Sequence, residues 1–150
     1  MRKQFTQTIS QIIKKDKKTT LLLGDIGVFS FRDLFRKYPK RIYNIGILEQ
    51  SMISLAAGLS NEGLKPIVHT IAPFIVSRAL EQLKIDFGYN KLNGNFISIG
   101  SSYDYASLGC THHCPEDVNL MYNIPGMQIV VPGCGKEFHK LFIESYSNNK

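Results

Sequence analysis

The sequence predicts an α/β fold: a three-layer doubly wound sheet, mainly parallel, with about five to six strands and helices on both faces. Two observations support this prediction. Short apolar runs alternate along the chain with longer segments whose apolar residues recur at the helical period. The short runs do not alternate polar with apolar residues, which is typical of parallel strands covered on both faces. With 150 residues, 43% of them hydrophobic, the chain has the size and composition of one globular domain.

The first third of the chain predicts a helix, a strand and a second helix. The apolar residues of 5–15 fall near a helical period, which predicts an amphipathic helix. The run Thr-Thr-Leu-Leu-Leu at 19–23 predicts a buried strand that ends at Gly24. A short helix is predicted over 31–38, and Pro39 stops it because the residue before a proline avoids the helical conformation.

The middle third continues this alternation. Residues 41–45 predict the second strand, and 49–61 predict a helix that Gly63 is placed to cap. The third strand is predicted over 65–71. The next predicted helix covers 73–87, because its first residue is a proline and proline suits the first turn of a helix.

The last third predicts two more strands and two more helices. Residues 95–100 predict the fourth strand, which a loop rich in Ser, Gly, Cys and His follows over 101–114. A helix is predicted over 115–122, the fifth strand over 127–131 and a final helix over 135–146.

Polar residues gather after the predicted strand ends. In open parallel sheets, ligands bind beyond the carboxyl ends of the strands, so these loops define the expected site. The segments that reach this edge are Asp25, Glu49, 70–74, 101–114 and 132–135.

Glu49 is the most informative residue at this edge. It directly follows the predicted second strand and its turn, and nearly all its neighbours in sequence are apolar or small. A carboxylate in such surroundings is costly unless another group offsets its desolvation. Burial favours the uncharged acid, which can donate a hydrogen bond. We therefore expect Glu49 to act chemically on a bound group.

The loop before the sixth predicted helix carries Cys110, Thr111, His112, His113 and Cys114. A zinc site is disfavoured, because adjacent histidines do not converge easily on one ion and no second ligand pair occurs. A cysteine nucleophile activated by histidine is disfavoured too, since no third group orients the pair. Two interpretations remain open: general acid–base catalysis by histidine, and a structural loop that caps the helix and buries its cysteines.

Composition excludes several classes of protein. The net charge of +6 is spread over predicted helix ends and loops without interleaved aromatic residues, so no nucleic-acid partner is expected. Three irregularly spaced cysteines do not form a disulfide framework and indicate a reducing compartment. No signal peptide or membrane span is predicted, so we expect a soluble cytoplasmic protein. No glycine-rich phosphate motif occurs, so this chain alone is not expected to anchor a pyrophosphate.

Several motifs taken together resemble a known family. Gly-Ile-Leu-Glu-Gln at 46–50 and Thr-His-His at 111–113 are specific as a pair. The other matching segments are 24–25, 56–59, 62–63, 70–74, 78–82 and 124–127. Over roughly 21–142 the chain is similar to the pyrimidine-binding domain of transketolase-like thiamine diphosphate enzymes. This group includes 1-deoxyxylulose-5-phosphate synthase and the beta subunits of 2-oxo-acid dehydrogenases.

The resemblance implies roles for individual residues. Glu49 would hydrogen-bond N1′ of the aminopyrimidine and promote the imino form that deprotonates the thiazolium carbon, which then attacks a ketose or 2-oxo acid. Phe74 would pack on the pyrimidine, and His112 would act catalytically at the substrate or intermediate. Further expected cofactor contacts are Asp25 and Ile47, and expected substrate contacts are His113, Asp104 and Arg78. No metal ligand is expected on this chain.

The departures from the family pattern concern what surrounds the pyrimidine site. Ile71 and Ser77 stand where transketolases have further aromatic residues. The diphosphate-binding domain and the carboxyl-terminal domain are absent from 1–150, which we predict to be a single pyrimidine-binding domain. The resemblance therefore implies half an active site for two-carbon ketol transfer. A partner chain would supply the diphosphate domain and Mg²⁺, within a homodimer or hetero-oligomer.

Two alternatives to a natural catalytic subunit remain open. One is a non-catalytic partner that stabilises a homologous enzyme without turning over substrate. The other is a fragment of a longer enzyme. The sequence does not name the substrate, which ranges from ketose phosphates to 2-oxo acids.

Overall fold

Four parallel strands form the central sheet. In the computed structural model, which describes residues 1–146 and 148, they are β1 (Thr19–Leu23), β2 (Ile42–Asn44), β3 (Lys65–Ile71) and β4 (Asn95–Ile99). Their order is β2-β1-β3-β4, and every pairing is parallel. The predicted α/β class and parallel sheet are confirmed. Residues 147, 149 and 150 of the predicted domain lie outside the described residues.

Helices connect and cover these strands. The α-helices are α1 (Arg2–Lys15), α2 (Arg32–Lys37), α3 (Glu49–Asn61), α4 (Ala72–Val76), α5 (Leu80–Gln82), α6 (Asp117–Tyr122) and α7 (Gly135–Ser145). Shorter turns of 3₁₀-helix occur at Val28–Phe31, Ala106–Leu108 and Cys110–His112, and a π-helix covers Leu83–Tyr89. No helix in the described part of the chain is both long enough and apolar enough to cross a bilayer.

The two faces of the sheet carry separate apolar cores. Successive side chains of a strand point to opposite faces, so neighbouring residues of β1 join different cores. Leu21 and Leu23 pack in the core formed with α1, α2 and α7. Leu22 and Val68 pack in the core formed with α3 and α4. This arrangement confirms the three predicted layers and explains why all five residues of β1 are buried.

The predicted count of five to six strands is wrong. Residues 127–131 were expected to form the fifth strand, but they are not a strand, and the sheet ends at β4 in the described part of the chain. Val130 and Val131 are exposed. The segment and β4 line a common cavity of about 1130 Å³ instead of pairing through their backbones. An apolar run shows that a segment favours burial, but periodicity alone does not establish a pairing partner.

The helix predicted over 73–87 is divided into α4, α5 and the π-helix. The break lies between Val76 and Leu80, where Ala79 leaves the helical conformation with φ −111° and ψ 20°. The backbone N–H groups of Ser77 and Arg78 both donate to the carbonyl of Pro73, at 3.0 and 3.2 Å. The break therefore places Arg78 at the end of a tight turn, beside the carboxyl ends of the central strands.

Candidate active site around Glu49

Glu49 is the first residue of α3, and its side chain is fully buried. The backbone N–H of Met52 donates to the carbonyl of Leu48, which starts the helix immediately before Glu49. A carboxylate in the first turn of a helix is favoured by the helix dipole. The predicted bounds of this helix, 49–61, are confirmed.

Both oxygens of the Glu49 carboxylate accept hydrogen bonds. Thr70 Oγ1 donates to Oε1 at 2.9 Å, and Arg78 Nη1 donates to Oε2 at 2.6 Å. The second contact is an ion pair, which offsets the cost of burying the charge. In this conformation the carboxylate accepts two hydrogen bonds, whereas the sequence had suggested an uncharged acid that donates one. The sequence placed Arg78 among substrate contacts and did not indicate that it would pair with Glu49.

Thr70 reaches Glu49 because Gly24 leaves room for it. Thr70 is buried near the carboxyl end of β3. A methyl group at Gly24 would lie 2.8 Å from Thr70 Oγ1 and 2.9 Å from its Cβ, closer than side chains normally approach. Sequence reasoning missed the role of the Thr70 hydroxyl. The available signal was a threonine in an otherwise apolar strand, two elements away from a buried acid.

An aromatic ring and a histidine extend the site away from Glu49. The guanidinium carbon of Arg78 lies 4.1 Å from the centroid of the Phe74 ring, which is the distance of a cation–π contact. The rings of Phe74 and His112 meet edge to face with centroids 5.3 Å apart. The series is therefore continuous. We call Glu49, Thr70, Phe74, Arg78 and His112 the Glu49 cluster.

His112 is held by its own loop. Thr111 Oγ1 and His112 Nδ1 are 3.0 Å apart, a hydrogen-bond distance, and the ring of Tyr105 lies 6.1 Å from the His112 ring. The Cys110–His112 turn of 3₁₀-helix packs against α4, which carries Phe74. The loop that was open between catalysis and a structural role thus brings one histidine to the Glu49 cluster.

The other expected site residues have different neighbours. Asp25 exchanges two hydrogen bonds with Asn44 and is exposed. The exposed fraction of Ile47 is 63%. Asp104 is exposed and lines the cavity beside β4. His113 packs its ring against Tyr103, with centroids 5.1 Å apart.

The cysteines of this loop do not form an activated thiol or a metal site in the structure. Cys114 is buried, and burial raises the pKa of its thiol, which the hydroxyl of Ser77 only partly opposes. A raised pKa disfavours the thiolate that a nucleophile needs. Cys110 is exposed. Among residues 1–146 and 148, no three His, Cys, Asp or Glu side chains come together as a metal site would require.

The Glu49 cluster is open on one side. The side chain of Arg78 is 36% exposed and lies over the fully buried Glu49. The cavity beside β4 includes no residue of the cluster. A buried acid, an aromatic face and a histidine thus lie together at the carboxyl edge of a parallel sheet. The fold and the site define a pyrimidine-binding domain of the transketolase type.

Comparison with known proteins identifies the family. The model of the transketolase pyrimidine-binding domain matches residues 1–150, and the chain belongs to this family. A protein of Rhodococcoides fascians, named as an uncharacterized 33.6 kDa protein in the fasciation locus, is 36% identical over 141 residues. That alignment covers 94% of this chain and 45% of the relative.

Split transketolases are among the similar proteins. One subunit of the apulose-4-phosphate transketolase of Phocaeicola vulgatus is 33% identical over 141 residues, covering 93% of this chain and 45% of the relative. A solved structure titled as a split gene transketolase, inactive beta4 tetramer, superposes with a TM-score of 0.86 at 27% identity. It covers 99% of this chain and 48% of the solved chain. The chain thus spans about half the length of the proteins it matches.

Proposed function

We propose that this chain supplies the pyrimidine half of the active site of a transketolase-like, thiamine diphosphate-dependent enzyme. Its substrate would be a ketose, a ketose phosphate or a 2-oxo acid. The observation that carries the proposal is the buried Glu49 carboxylate at the start of α3, next to the face of Phe74. Free cysteines, which persist in reducing compartments, support a cytoplasmic location.

The residues present fit an aminopyrimidine. The guanidinium of Arg78, a flat group with N–H donors, already lies between the Glu49 carboxylate and the Phe74 ring. A flat nitrogen heterocycle makes the same two kinds of contact, one to a carboxyl and one to an aromatic face. When bound, thiamine diphosphate supplies a carbon nucleophile that attacks a carbonyl group.

Each residue of the Glu49 cluster has a separate task in this proposal. Glu49 holds and exchanges a proton with the pyrimidine nitrogen, and Thr70 orients the carboxyl through its hydroxyl. Phe74 packs on the ring and keeps water from one face. His112, at the edge of Phe74, acts as a general acid or base on the substrate. Asp25 and Ile47 are proposed as further cofactor contacts, and His113 and Asp104 as substrate contacts.

The proposal requires a second chain. The sequence offers no glycine-rich anchor for a diphosphate, so a partner would carry that domain together with Mg²⁺. Ile47, Leu48 and Leu55 are exposed next to Glu49, an apolar surface of the kind that neighbouring chains cover. The relative named as one subunit of a transketolase and the solved beta4 tetramer support an oligomer built from two kinds of chain.

Reconstitution tests the proposal. The chain is produced alone and together with a chain bearing the diphosphate domain, and ketol transfer is followed in each sample. We expect turnover only in the complex, and Glu49→Gln lowers it by at least about a hundredfold because the proton transfer is lost. Calorimetry should show that the lone chain binds the cofactor weakly or not at all. Tight Mg²⁺-dependent binding by the lone chain contradicts the half-site.

A second function, a non-catalytic assembly subunit, is favoured by one observation. The ion pair with Arg78 occupies the carboxylate that catalysis needs. In this case Glu49→Gln leaves the turnover of the complex unchanged, although the complex still forms. The same variant therefore distinguishes the two functions.

A further inference from the structure

Arg78 contacts both of the groups that we assign to the pyrimidine. Its guanidinium donates to Glu49 Oε2 at 2.6 Å, and its central carbon lies 4.1 Å from the centroid of Phe74. We propose that the guanidinium of Arg78 is an internal placeholder that occupies the aminopyrimidine position and must leave before the cofactor binds. This inference rests on the proposed function of Glu49 and Phe74.

The chemistry of the guanidinium suits this role. It is planar and delocalised, it stacks on aromatic faces, and it presents N–H donors to carboxylates. The pyrimidine needs the same aromatic face and the same carboxyl oxygen, so the two groups cannot bind there together. While Arg78 is in place, it also neutralises the buried charge of Glu49, so the domain does not hold an unpaired carboxylate.

Arg78 is the member of the Glu49 cluster best able to move. Glu49 and Thr70 are fully buried, whereas the side chain of Arg78 is 36% exposed. Arg78 also lies at the break between α4 and α5, outside continuous helix. Its side chain can therefore swing into solvent without disturbing either core.

The placeholder lowers the apparent affinity for the pyrimidine. A ligand that binds only the fraction of molecules with a vacant site has its dissociation constant raised in proportion. Once Arg78 has left, the buried carboxyl has no cation beside it and favours its uncharged form, which donates a hydrogen bond. Departure of Arg78 would thus convert Glu49 from an acceptor into the donor that the pyrimidine nitrogen requires.

The first test uses the wild-type chain and the hydroxymethyl aminopyrimidine half of thiamine, which lacks the diphosphate and so needs no partner chain. Nitrogen NMR follows the side-chain Nε–H signals of the arginines during titration. We expect the Arg78 signal to shift as its guanidinium leaves Phe74 and Glu49. Arg41 is the internal control, because its guanidinium carbon lies 4.5 Å from the Tyr38 ring centroid and it bonds to backbone carbonyls. Its signal should stay in place.

The second test compares dissociation constants for the same probe. Arg78→Met removes the competing group, and we expect it to bind the probe about tenfold more tightly, equivalent to about 1.4 kcal/mol. Glu49→Gln in the Arg78→Met background is expected to lose this gain. If Arg78→Met does not fold, the wild-type NMR titration still decides the question.

The outcomes separate this inference from the proposed function. If the probe binds but the Arg78 signal does not move, or Arg78→Met binds no more tightly than wild type, the placeholder role is overturned and the pyrimidine site stands. If neither protein binds the probe, the pyrimidine site is overturned, and the placeholder with it. A moving Arg78 signal and tighter binding by Arg78→Met together support both.

Discussion

Gly24 packs against the side chain of Thr70 so closely that no methyl group fits between them. The nearest Thr70 atom would lie 2.8 Å from a Cβ at position 24. The loop after β1 therefore fixes a hydroxyl of β3, and this hydroxyl orients the carboxylate of α3. Three elements that are distant in sequence meet at one buried acid.

Gly24→Ala is expected to destabilise the chain by about 1–3 kcal/mol, the usual cost of overpacking a core. It should also displace Thr70 from Glu49. Urea unfolding measures the first effect. Gly58→Ala is the matched control, because Gly58 lies within α3 with no atom within 4 Å of an added Cβ. That change should stabilise by about 0.5–1 kcal/mol. Equal effects of the two substitutions would contradict the close approach.

Thr70→Val keeps the shape of the side chain and removes its hydroxyl. Oε1 of the buried Glu49 then loses its hydrogen bond, so we expect a loss of about 1–3 kcal/mol in the free energy of unfolding. Thr20→Val is a matched control in β1, because Thr20 Oγ1 is buried without a hydrogen-bond partner among the described residues. This control should be neutral or stabilising. If Thr70→Val costs no more than Thr20→Val, the Thr70 hydroxyl does not support Glu49.

His112→Asn tests the open question about the 101–114 loop in the reconstituted enzyme. A general acid or base contributes about 10²–10⁴ in rate, so kcat should fall within that range and the pH profile should lose one limb. A purely structural histidine would change the unfolding midpoint and leave the pH profile intact. His113→Asn is the control at the neighbouring position, where the ring packs on Tyr103 instead. It should affect kcat less.

His69 makes stability depend on pH. Burial lowers its pKa below the ordinary value of 6.5, although the hydrogen bond from Nδ1 to the carbonyl of Ile97 opposes this in part. The unfolded chain therefore binds the proton more readily, and the stabilisation is complete above 6.5 and declines as the pH falls through 6.5 toward the lowered folded pKa. Urea midpoints should decrease between about pH 7.5 and about pH 5.5. His69→Gln should reduce that dependence, and an unchanged slope would assign it to other groups.

The sequence predicted those parts of the fold that depend on local pattern. The bounds of α3 and β3 agree with the predicted 49–61 and 65–71, because the first follows a turn and ends near Gly63, and the second is a continuous apolar run. Strand pairing is a long-range property, and the segment 127–131 has strand composition but does not pair with β4.

The site was predictable where a residue is unusual for its surroundings. Glu49 is a buried acid in an apolar stretch, and a sequence alone shows this. The pairing of Arg78 with Glu49 was not predictable, because it depends on the break between α4 and α5 and on a side chain 29 residues away. The contribution of Thr70 depends likewise on how closely Gly24 approaches it.

The outer edge of β4 has a practical consequence. Within the described part of the chain no strand pairs with β4 on the side away from β3. An unpaired strand edge is a template on which any extended peptide can add itself, including another copy of the same segment. Storing this domain at high concentration without its companions therefore invites aggregation, and adding a lysine on that rim is the first remedy for a sample that precipitates.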